Sequence, residues 1–324
     1  MTRRAFELWA ELDRRTDHKL YRASGALWMV RQATAAYVKE ALPVMQALEL
    51  PVETMSPAQA RQRWPQIAFT DIDQVYLEHR AGILSARLAC RVLRDRVINA
   101  GGRYRLGLAA PGEIKHGRMN RIHLDSDESL TADYFVFALG PWLGQAFPKV
   151  IGTAIRPTRQ DVFYLGVPAG TDYRPDRLPV WVDFGPRIFY GLPDLDGRGF
   201  KVADDTRGVV IDPTTMDRTA DTESLRRIRT FLNRRFPQMA QAPLIEARVC
   251  QYENSPDGHL IADRHPEADN VILLGGGSGH GFKLSPTVGE MVADALINDK
   301  GMPDTFSLSR DTLRASGTAT QFER

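Results

Sequence analysis

Residues 271–296 read VILLGGGSGHGFKLSPTVGEMVADAL. An apolar run leads into a glycine-rich segment, and apolar residues then recur at helical spacing, so the stretch predicts a buried strand, a tight turn and a helix. Such a unit is typical of an α/β sheet. The free N–H groups at the start of the helix favour an anion or an electron-rich ring edge. The turn therefore suits a cofactor, although a tight strand-to-helix connection in a packed sheet explains the glycines equally well.

Two common nucleotide-binding signatures do not fit this turn. Gly276 and Gly281 have the spacing of a P-loop, but Phe282 separates Gly281 from Lys283. A dinucleotide-binding GxGxxG follows the first strand of a βαβ unit and has an acidic residue about twenty positions later. This glycine segment lies near the C-terminal end of the sequence and lacks that spacing.

The composition is that of a globular protein. The chain has 324 residues, 43% of them hydrophobic and 25% charged, which excludes a wholly disordered, collagenous or coiled-coil chain. Lys and Arg total 42 against 40 Asp and Glu, so the charge gives no footprint for nucleic acid or for an anionic membrane. No apolar run approaches the roughly 18 residues that span a bilayer. Cys90 and Cys250 form neither a disulfide framework nor a CxxC metal motif, so we expect a cytoplasmic protein without a metal site.

Periodicity predicts an α/β protein with an inserted antiparallel sheet. We expect two short strands around Ser24-Gly25, strands at 104–108 and 121–124, a strand at 134–139 that is buried on both faces, and several strands between 155 and 202. The predicted helices are 4–15, 33–48 with a break or a kink before Pro43, 57–63 with Ser56 as the cap, 85–100, 222–236 and 286–296. A further strand is expected at 246–252.

A second group of residues lies just upstream of the glycine segment. Cys250-Gln251-Tyr252 is followed by Asp257 and by His265-Pro266, and then by the SGHGFK segment that ends at Lys283. A lone cysteine on an apolar strand is commonly a small buried hydrophobe. In this order, however, the motifs resemble the D-amino-acid-oxidase-like flavoenzymes, in particular the group of monomeric sarcosine oxidase, N-methyltryptophan oxidase and fructosyl-amino-acid oxidase. The resemblance covers nearly the whole chain.

The resemblance implies FAD as the cofactor and assigns roles to named residues. The family's matching cysteine carries the flavin through a thioether at its 8α carbon, which implies that role for Cys250. Lys201 matches the lysine that promotes the reaction of the flavin with O2, and Lys283 the one that helps hold the substrate carboxylate. Tyr190 and Tyr252 are implied to line the substrate pocket, with a catalytic role. The implied cofactor loop consists of Gly277, Ser278, Gly279, His280, Gly281, Phe282 and Lys283.

Each of these residues also has a plain structural interpretation. Lys201 could be a solvated strand lysine, since lysines are rarely buried. Lys283 could pair with Glu290 or bind a phosphate, and His280 could be a polar loop residue bonded to backbone. The two tyrosines could be core aromatics whose hydroxyls find partners.

Two departures from the family pattern bear on the interpretation. No GxGxxG unit precedes the helix at 5–14, which matches family sequence well downstream of that unit; we therefore expect Met1 to be an internal methionine and the FAD domain to be N-terminally incomplete. The sarcosine oxidase relatives have a pocket histidine a few residues after the oxygen-activating lysine, where this chain has Asp204-Asp205. A carboxylate at Asp205 would favour a cationic amine and disfavour the neutral amine that hydride transfer needs, which puts sarcosine as the substrate in doubt.

The sequence thus predicts an FAD-dependent oxidoreductase in two discontinuous parts. Residues 82–151 and 252–324 form the remaining FAD-binding domain, and residues 1–81 and 152–251 the substrate domain. The expected reaction is oxidation of a secondary or N-substituted amino acid by hydride transfer to flavin, followed by imine hydrolysis and reoxidation by O2 to H2O2. Catalysis is assigned to Lys201, Tyr252, Tyr190 and Asp205. The alternatives are a dehydrogenase with another electron acceptor, and a non-catalytic or subunit-type protein without the nucleotide-binding half.

Overall fold

The structure is a computed structural model that describes residues 1–314. The α-helices are α1 Thr2–Arg14, α2 Ala36–Ala47, α3 Pro57–Arg63, α4 Ala86–Asn99, α5 Leu143–Ala146, α6 Thr222–Arg235 and α7 Ser285–Ile297. The strands are β1 Tyr21–Ala23, β2 Ala26–Val30, β3 Val52–Met55, β4 Gln74–Glu78, β5 Gly82–Leu84, β6 Ala109–Pro111, β7 Ile114–Lys115, β8 Arg118–Met119, β9 Arg121–Leu124, β10 Ser129–Thr131, β11 Phe135–Phe137, β12 Arg156–Leu165, β13 Val180–Phe184, β14 Ile188–Leu192, β15 Phe200–Asp204, β16 Leu244–Asn254, β17 Ile261–His265 and β18 Ala268–Gly275.

The largest sheet has eight strands in the order β16-β12-β15-β14-β13-β2-β4-β3. Its neighbours are antiparallel except for β13 and β2, which run parallel, so the sheet is mixed and not purely antiparallel as predicted. Strands from 1–81 and from 152–251 share this sheet. The predicted domain boundaries remain a prediction, and residues 315–324 of the second FAD-domain segment lie outside the described part.

A smaller sheet holds the strand that precedes the glycine loop. β18 lies between β11, which is parallel to it, and β17, which is antiparallel. α1 and α7 pack together over this sheet, where Trp9, Val288 and Ile272 share one apolar cluster. The predicted order of strand, glycine turn and helix is confirmed over 268–297.

Local capping signals are confirmed where they were predicted. Ser56 and Gln59 form a capping box in which each side chain bonds to the other's backbone N–H, and Pro57 occupies the first turn of α3. The turn at Ser24-Gly25 separates β1 from β2, as expected, because Gly25 adopts a φ of 70° that a larger residue disfavours.

Three sequence predictions are wrong. Residues 104–108 form no strand, and β6 starts at Ala109, because Tyr104 and Leu106 face solvent without a pairing partner. β11 is covered on one face only: Phe135 is buried, whereas Val136 is 43% exposed. α2 continues through Pro43 without the break that was one of the two expectations there, since a proline removes only one helical hydrogen bond and buried residues on both sides anchor the helix.

Within residues 1–314, no helix has both the length and the apolar character needed to cross a membrane.

Candidate active site

The eight-stranded sheet has two chemically different faces. Along β15, Phe200 and Val202 point into the apolar core beside α6, and Lys201 points to the opposite face because side chains alternate along a strand. Register brings further predicted residues to the same side as Lys201. Tyr164 lies opposite Lys201, Tyr190 opposite Ala203, and Cys250 opposite Gln160. We call the side that carries Lys201, Tyr190, Cys250 and Tyr252 the polar face.

Lys201 is a partly buried cation on this polar face. Its Nζ lies 5.1 Å from the ring centroid of Tyr190, which is within cation–π distance. Burial acts to lower the pKa of Lys201, but the nearby Tyr190, and then Tyr164 and Cys250, act more strongly in the other direction, so its pKa is raised. The side chain therefore remains an ammonium at neutral pH.

Three polar groups form a chain beside it. The hydroxyls of Tyr190 and Tyr252 lie 3.3 Å apart, and the Tyr252 hydroxyl donates to Asp205 Oδ1 at 3.3 Å. Burial raises the pKa of Tyr252 well above its ordinary value. Burial also raises the pKa of Asp205 to about 6, although Arg207 and the bond from Tyr252 oppose this rise. Both tyrosine hydroxyls therefore have partners, which fits the plain interpretation of the two residues as well as a place in a substrate pocket.

Arg207 joins this chain to the glycine loop, and sequence reasoning missed it. Its guanidinium lies 5.0 Å from the centre of the Tyr252 ring, and its Nη1 is 3.6 Å from Asp205 Oδ1. Its Nη2 donates to the Ser278 carbonyl at 2.8 Å. The sequence offered one signal for Arg207, its position two residues after Asp205. That position does not predict the contacts of Arg207 with Tyr252 and with the glycine loop.

The glycine loop packs directly on Tyr252. Gly279 has a φ of 81°, and a Cβ placed on it would lie 2.4 Å from Cε2 of the Tyr252 ring. Gly277 and Gly281 approach each other so closely that a Cβ on Gly281 would lie 2.9 Å from the Gly277 Cα. Only glycine allows the backbone to run this close to the tyrosine.

A buried acid beneath the loop was also missed. Glu253 Oε2 accepts the Gly276 N–H at 3.2 Å, and a Cβ on Gly277 would lie 2.8 Å from its Oε1. Burial raises the pKa of Glu253, and the N–H groups of Gly277 and Gly276 oppose this effect. Glu253 follows the Cys-x-Tyr motif directly, so adjacency to that motif was the available signal.

Two predicted loop residues use their side chains within the protein. His280 Nε2 lies 3.1 Å from the Gly258 carbonyl oxygen, as its plain interpretation predicted. The Phe282 ring stacks on Trp9 with 5.7 Å between centroids. Both side chains are therefore engaged within the protein.

Lys283 lies at the exposed end of the loop. Its charge acts on the half-buried Glu78 and the buried Asp205, and lowers the pKa of each against the larger effect of burial. Glu290, the partner considered for it from sequence, forms a two-point ion pair with Arg4 at 2.9 and 2.5 Å.

Cys250 is a free, half-buried thiol on the polar face. Burial raises its pKa, although Lys201 and Arg248 act to lower it. A thiol, an ammonium and a bare glycine backbone thus meet in one place, and two buried atoms there, Asp205 Oδ2 and Arg207 Nε, lack hydrogen-bond partners within the described residues. This donor set fits the flavin end of FAD. Residues 1–314 contain no group of three or more His, Cys, Asp or Glu suited to a metal ion.

An α/β scaffold with a glycine loop against a polar sheet face suits a cofactor-dependent enzyme. Residues 1–295 match the DAO family, described as FAD dependent oxidoreductase, and the chain belongs to that family. It is therefore an FAD-dependent oxidoreductase, as the sequence predicted.

The similar proteins carry oxidase and dehydrogenase names. The chain is 29% identical to monomeric sarcosine oxidase from Bacillus sp. (strain B-0618), over 97% of this chain and 81% of that protein. It is 27% identical to N-methyl-L-tryptophan oxidase from Yersinia pestis (strain Pestoides F), over 95% of this chain and 82% of that protein. Among solved structures, L-proline dehydrogenase from P. horikoshii superposes with a TM-score of 0.82 at 16% identity, over 95% of this chain and 82% of that one. This last likeness concerns the fold alone.

Proposed function

We propose that the protein oxidises a secondary or N-substituted amino acid, with FAD as cofactor and O2 as electron acceptor. The observation that carries the proposal is the polar face itself, where Lys201, Tyr190, Cys250 and Tyr252 converge beside the glycine loop. The names of the similar oxidases, which refer to sarcosine and N-methyltryptophan, support an amino acid with a substituted nitrogen.

The flavin end of the cofactor would be held by Cys250 and by the loop 277–283. FAD, when bound, supplies the acceptor for the hydride that leaves the carbon next to the substrate nitrogen. A thioether at Cys250 would keep the flavin on the protein after denaturation. Cys250→Ala should therefore release flavin into the supernatant on acid precipitation, while the unchanged protein retains it; equal retention by both would refute the covalent anchor.

The substrate would be oriented by a lysine of the glycine loop and by two tyrosines of the polar face. Lys283 offers an exposed ammonium for the α-carboxylate, and such charge-assisted bonds are about twice as strong as neutral ones. The aromatic rings of Tyr190 and Tyr252 would form the walls that hold the carbon skeleton. Their linked hydroxyls keep both rings in one orientation.

Lys201 would serve the reaction with oxygen. A fixed ammonium in a partly buried site stabilises negative charge that develops on O2 much more than it would in water. Its raised pKa keeps this charge in place over the physiological range.

The proposal is tested by supplying the flavin-loaded protein with N-methylglycine, proline and N-methyl-L-tryptophan, and measuring O2 uptake and H2O2 together. We expect at least one of them to give equal amounts of O2 consumed and H2O2 formed. Substrate turnover with an artificial electron acceptor but without peroxide would instead favour a dehydrogenase. No turnover with any secondary amino acid would contradict the proposal.

A further inference from the structure

Asp205 has an unusual arrangement for a buried carboxylate. The residue is only 6% exposed. Its Oδ1 receives the Tyr252 hydroxyl at 3.3 Å and lies 3.6 Å from Arg207 Nη1. Its Oδ2 is buried and has no hydrogen-bond partner within residues 1–314. Since buried polar atoms are nearly always hydrogen-bonded, an unpaired carboxylate oxygen at a candidate site calls for a partner that residues 1–314 do not supply.

The charged groups around Asp205 indicate the chemistry of the partner that its Oδ2 lacks. Arg207 lies beside the Asp205 carboxylate, and Asp204, the last residue of β15, precedes it in the chain. From β16, Tyr252 bonds to it and also contacts Tyr190 of β14. The charge of Lys283 acts on it from the glycine loop. Lys283 is thus a cation and Asp205 an anion within electrostatic reach of each other at one site. An α-amino acid carries the complementary pair, a carboxylate and an ammonium a few bonds apart.

We propose that Asp205 binds the amine of the substrate through Oδ2 and thereby restricts the enzyme to amino acids that enter as zwitterions with at least one N–H. The inference rests on the proposed function and specifies its substrate class. The substrate ammonium donates an N–H to Oδ2, and its carboxylate pairs with Lys283. Carboxylates without an amine lack the donor, and quaternary ammonium compounds have the charge but no N–H.

Arg207 has a positioning role in this arrangement. Its bonds to the Asp205 and Ser278 carbonyl oxygens, at 3.3 and 2.8 Å, tie the end of β15 to the glycine loop. Arg207 and Tyr252 both engage Oδ1, so the two protein groups nearest the carboxylate leave Oδ2 unpaired.

The experiment compares amines with analogues in which N–H is replaced by CH2. The pairs are N-methylglycine with butyrate, and proline with cyclopentanecarboxylate. For the flavin-loaded protein we measure kcat and KM for each amine and the inhibition constant for each analogue. Asp205→Asn should raise KM for the amine about 10- to 100-fold, which is the range expected for loss of a charge-assisted hydrogen bond. The inhibition constants of the analogues should change less than about threefold.

Asp204→Asn provides the matched control. It removes the same charge one residue away, but Asp204 pairs with Arg187 at 2.7 Å and lies on the α6 side of the sheet. We expect this variant to leave KM for the amines and the inhibition constants within about threefold of the original protein.

The pH dependence of the unchanged protein gives a test that needs no variant. The pKa of Asp205 is raised to about 6, so the carboxylate is ionised above that pH and becomes protonated below it. KM for N-methylglycine should therefore rise about fourfold between pH 7.5 and 5.5, while the butyrate inhibition constant shows no such rise. The same pH dependence should be absent in Asp205→Asn.

The outcomes separate this inference from the proposed function. If the unchanged protein oxidises a secondary amino acid but Asp205→Asn weakens amine and analogue equally, or if KM is flat with pH, Asp205 does not bind the amine and the proposed function stands. If no secondary amino acid is oxidised by the unchanged protein, both are overturned.

Discussion

The two faces of the eight-stranded sheet contrast sharply although the same strands build both. On the α6 side, Trp181 is fully buried and stacks with Phe200 and Phe231, each with 5.7 Å between centroids. On the polar face, Lys201 and Cys250 are only partly buried and offer a charge and a thiol. Because successive residues point to opposite sides, stability and chemistry are separated by a single position along β15. Substitutions on the two faces should therefore have separable effects.

The largest effect is expected for Trp181→Ala on the packed face. The indole also lies 4.7 Å from Phe236, centroid to centroid, so its removal leaves a large cavity in the aromatic cluster. We expect a loss of about 3–5 kcal/mol in the free energy of unfolding, measured by denaturant titration. A loss below about 1 kcal/mol would mean that this cluster does not hold the sheet to α6.

Lys201→Met, on the polar face, should affect the reaction with O2. We expect flavin reoxidation by O2 to slow about 100- to 1,000-fold, as for removal of one preorganised electrostatic group, with little change in flavin reduction by substrate. Stopped-flow absorbance measures the two half-reactions separately. The matched control is the neighbouring Val202→Ala, which should cost about 2 kcal/mol of stability and leave reoxidation unchanged. Equal slowing of both half-reactions in Lys201→Met would contradict its assigned role.

Gly279→Ala tests the contact between the loop and the polar face. The new Cβ would meet the Tyr252 ring at 2.4 Å, and the φ of 81° disfavours alanine, so Tyr252 must move. We expect kcat/KM for the amine to fall about tenfold or more. Gly289→Ala is the matched control, since a Cβ there meets nothing within 4 Å and lies inside α7. That change should leave activity intact and stabilise the helix by about 0.5–1 kcal/mol.

The smallest effect is expected at the start of α6. The Asp221 side chain accepts the N–H groups of Glu223 and Ser224, both at 3.2 Å. Asp221→Ala should lower the free energy of unfolding by about 1 kcal/mol without changing kcat/KM. Thermal unfolding with an activity assay checks both parts, and a change in kcat/KM would show that the packed side communicates with the polar face.

Much of the fold followed from local patterns. The cap at Ser56 and the turn at Gly25 are encoded within a few residues, and both were predicted. The parallel pairing of β13 with β2 joins residues about 150 positions apart, and no local pattern specifies it. Burial of β11 was misjudged because FVF has the same composition whether one face or two are covered.

The residues of the candidate site were likewise predicted only in part. Lys201, Tyr190 and Tyr252 were identified through motif resemblance, and strand register brings them together. Arg207 and Glu253 were missed because their roles arise from contacts with the glycine loop. Neither residue belongs to that loop, and Arg207 is remote from it in sequence. The sequence identified Asp205 as a departure from the family pattern, but only the structure revealed that its buried Oδ2 has no hydrogen-bond partner within residues 1–314.

The most direct test of the account mixes the flavin-loaded protein with N-methylglycine or proline in the absence of oxygen and follows the flavin absorbance. The account predicts that the oxidised flavin band is lost with at least one of these substrates, and that admission of O2 restores it with one H2O2 formed per flavin. A band that persists with every secondary amino acid tested would contradict the assignment of the polar face to amine oxidation.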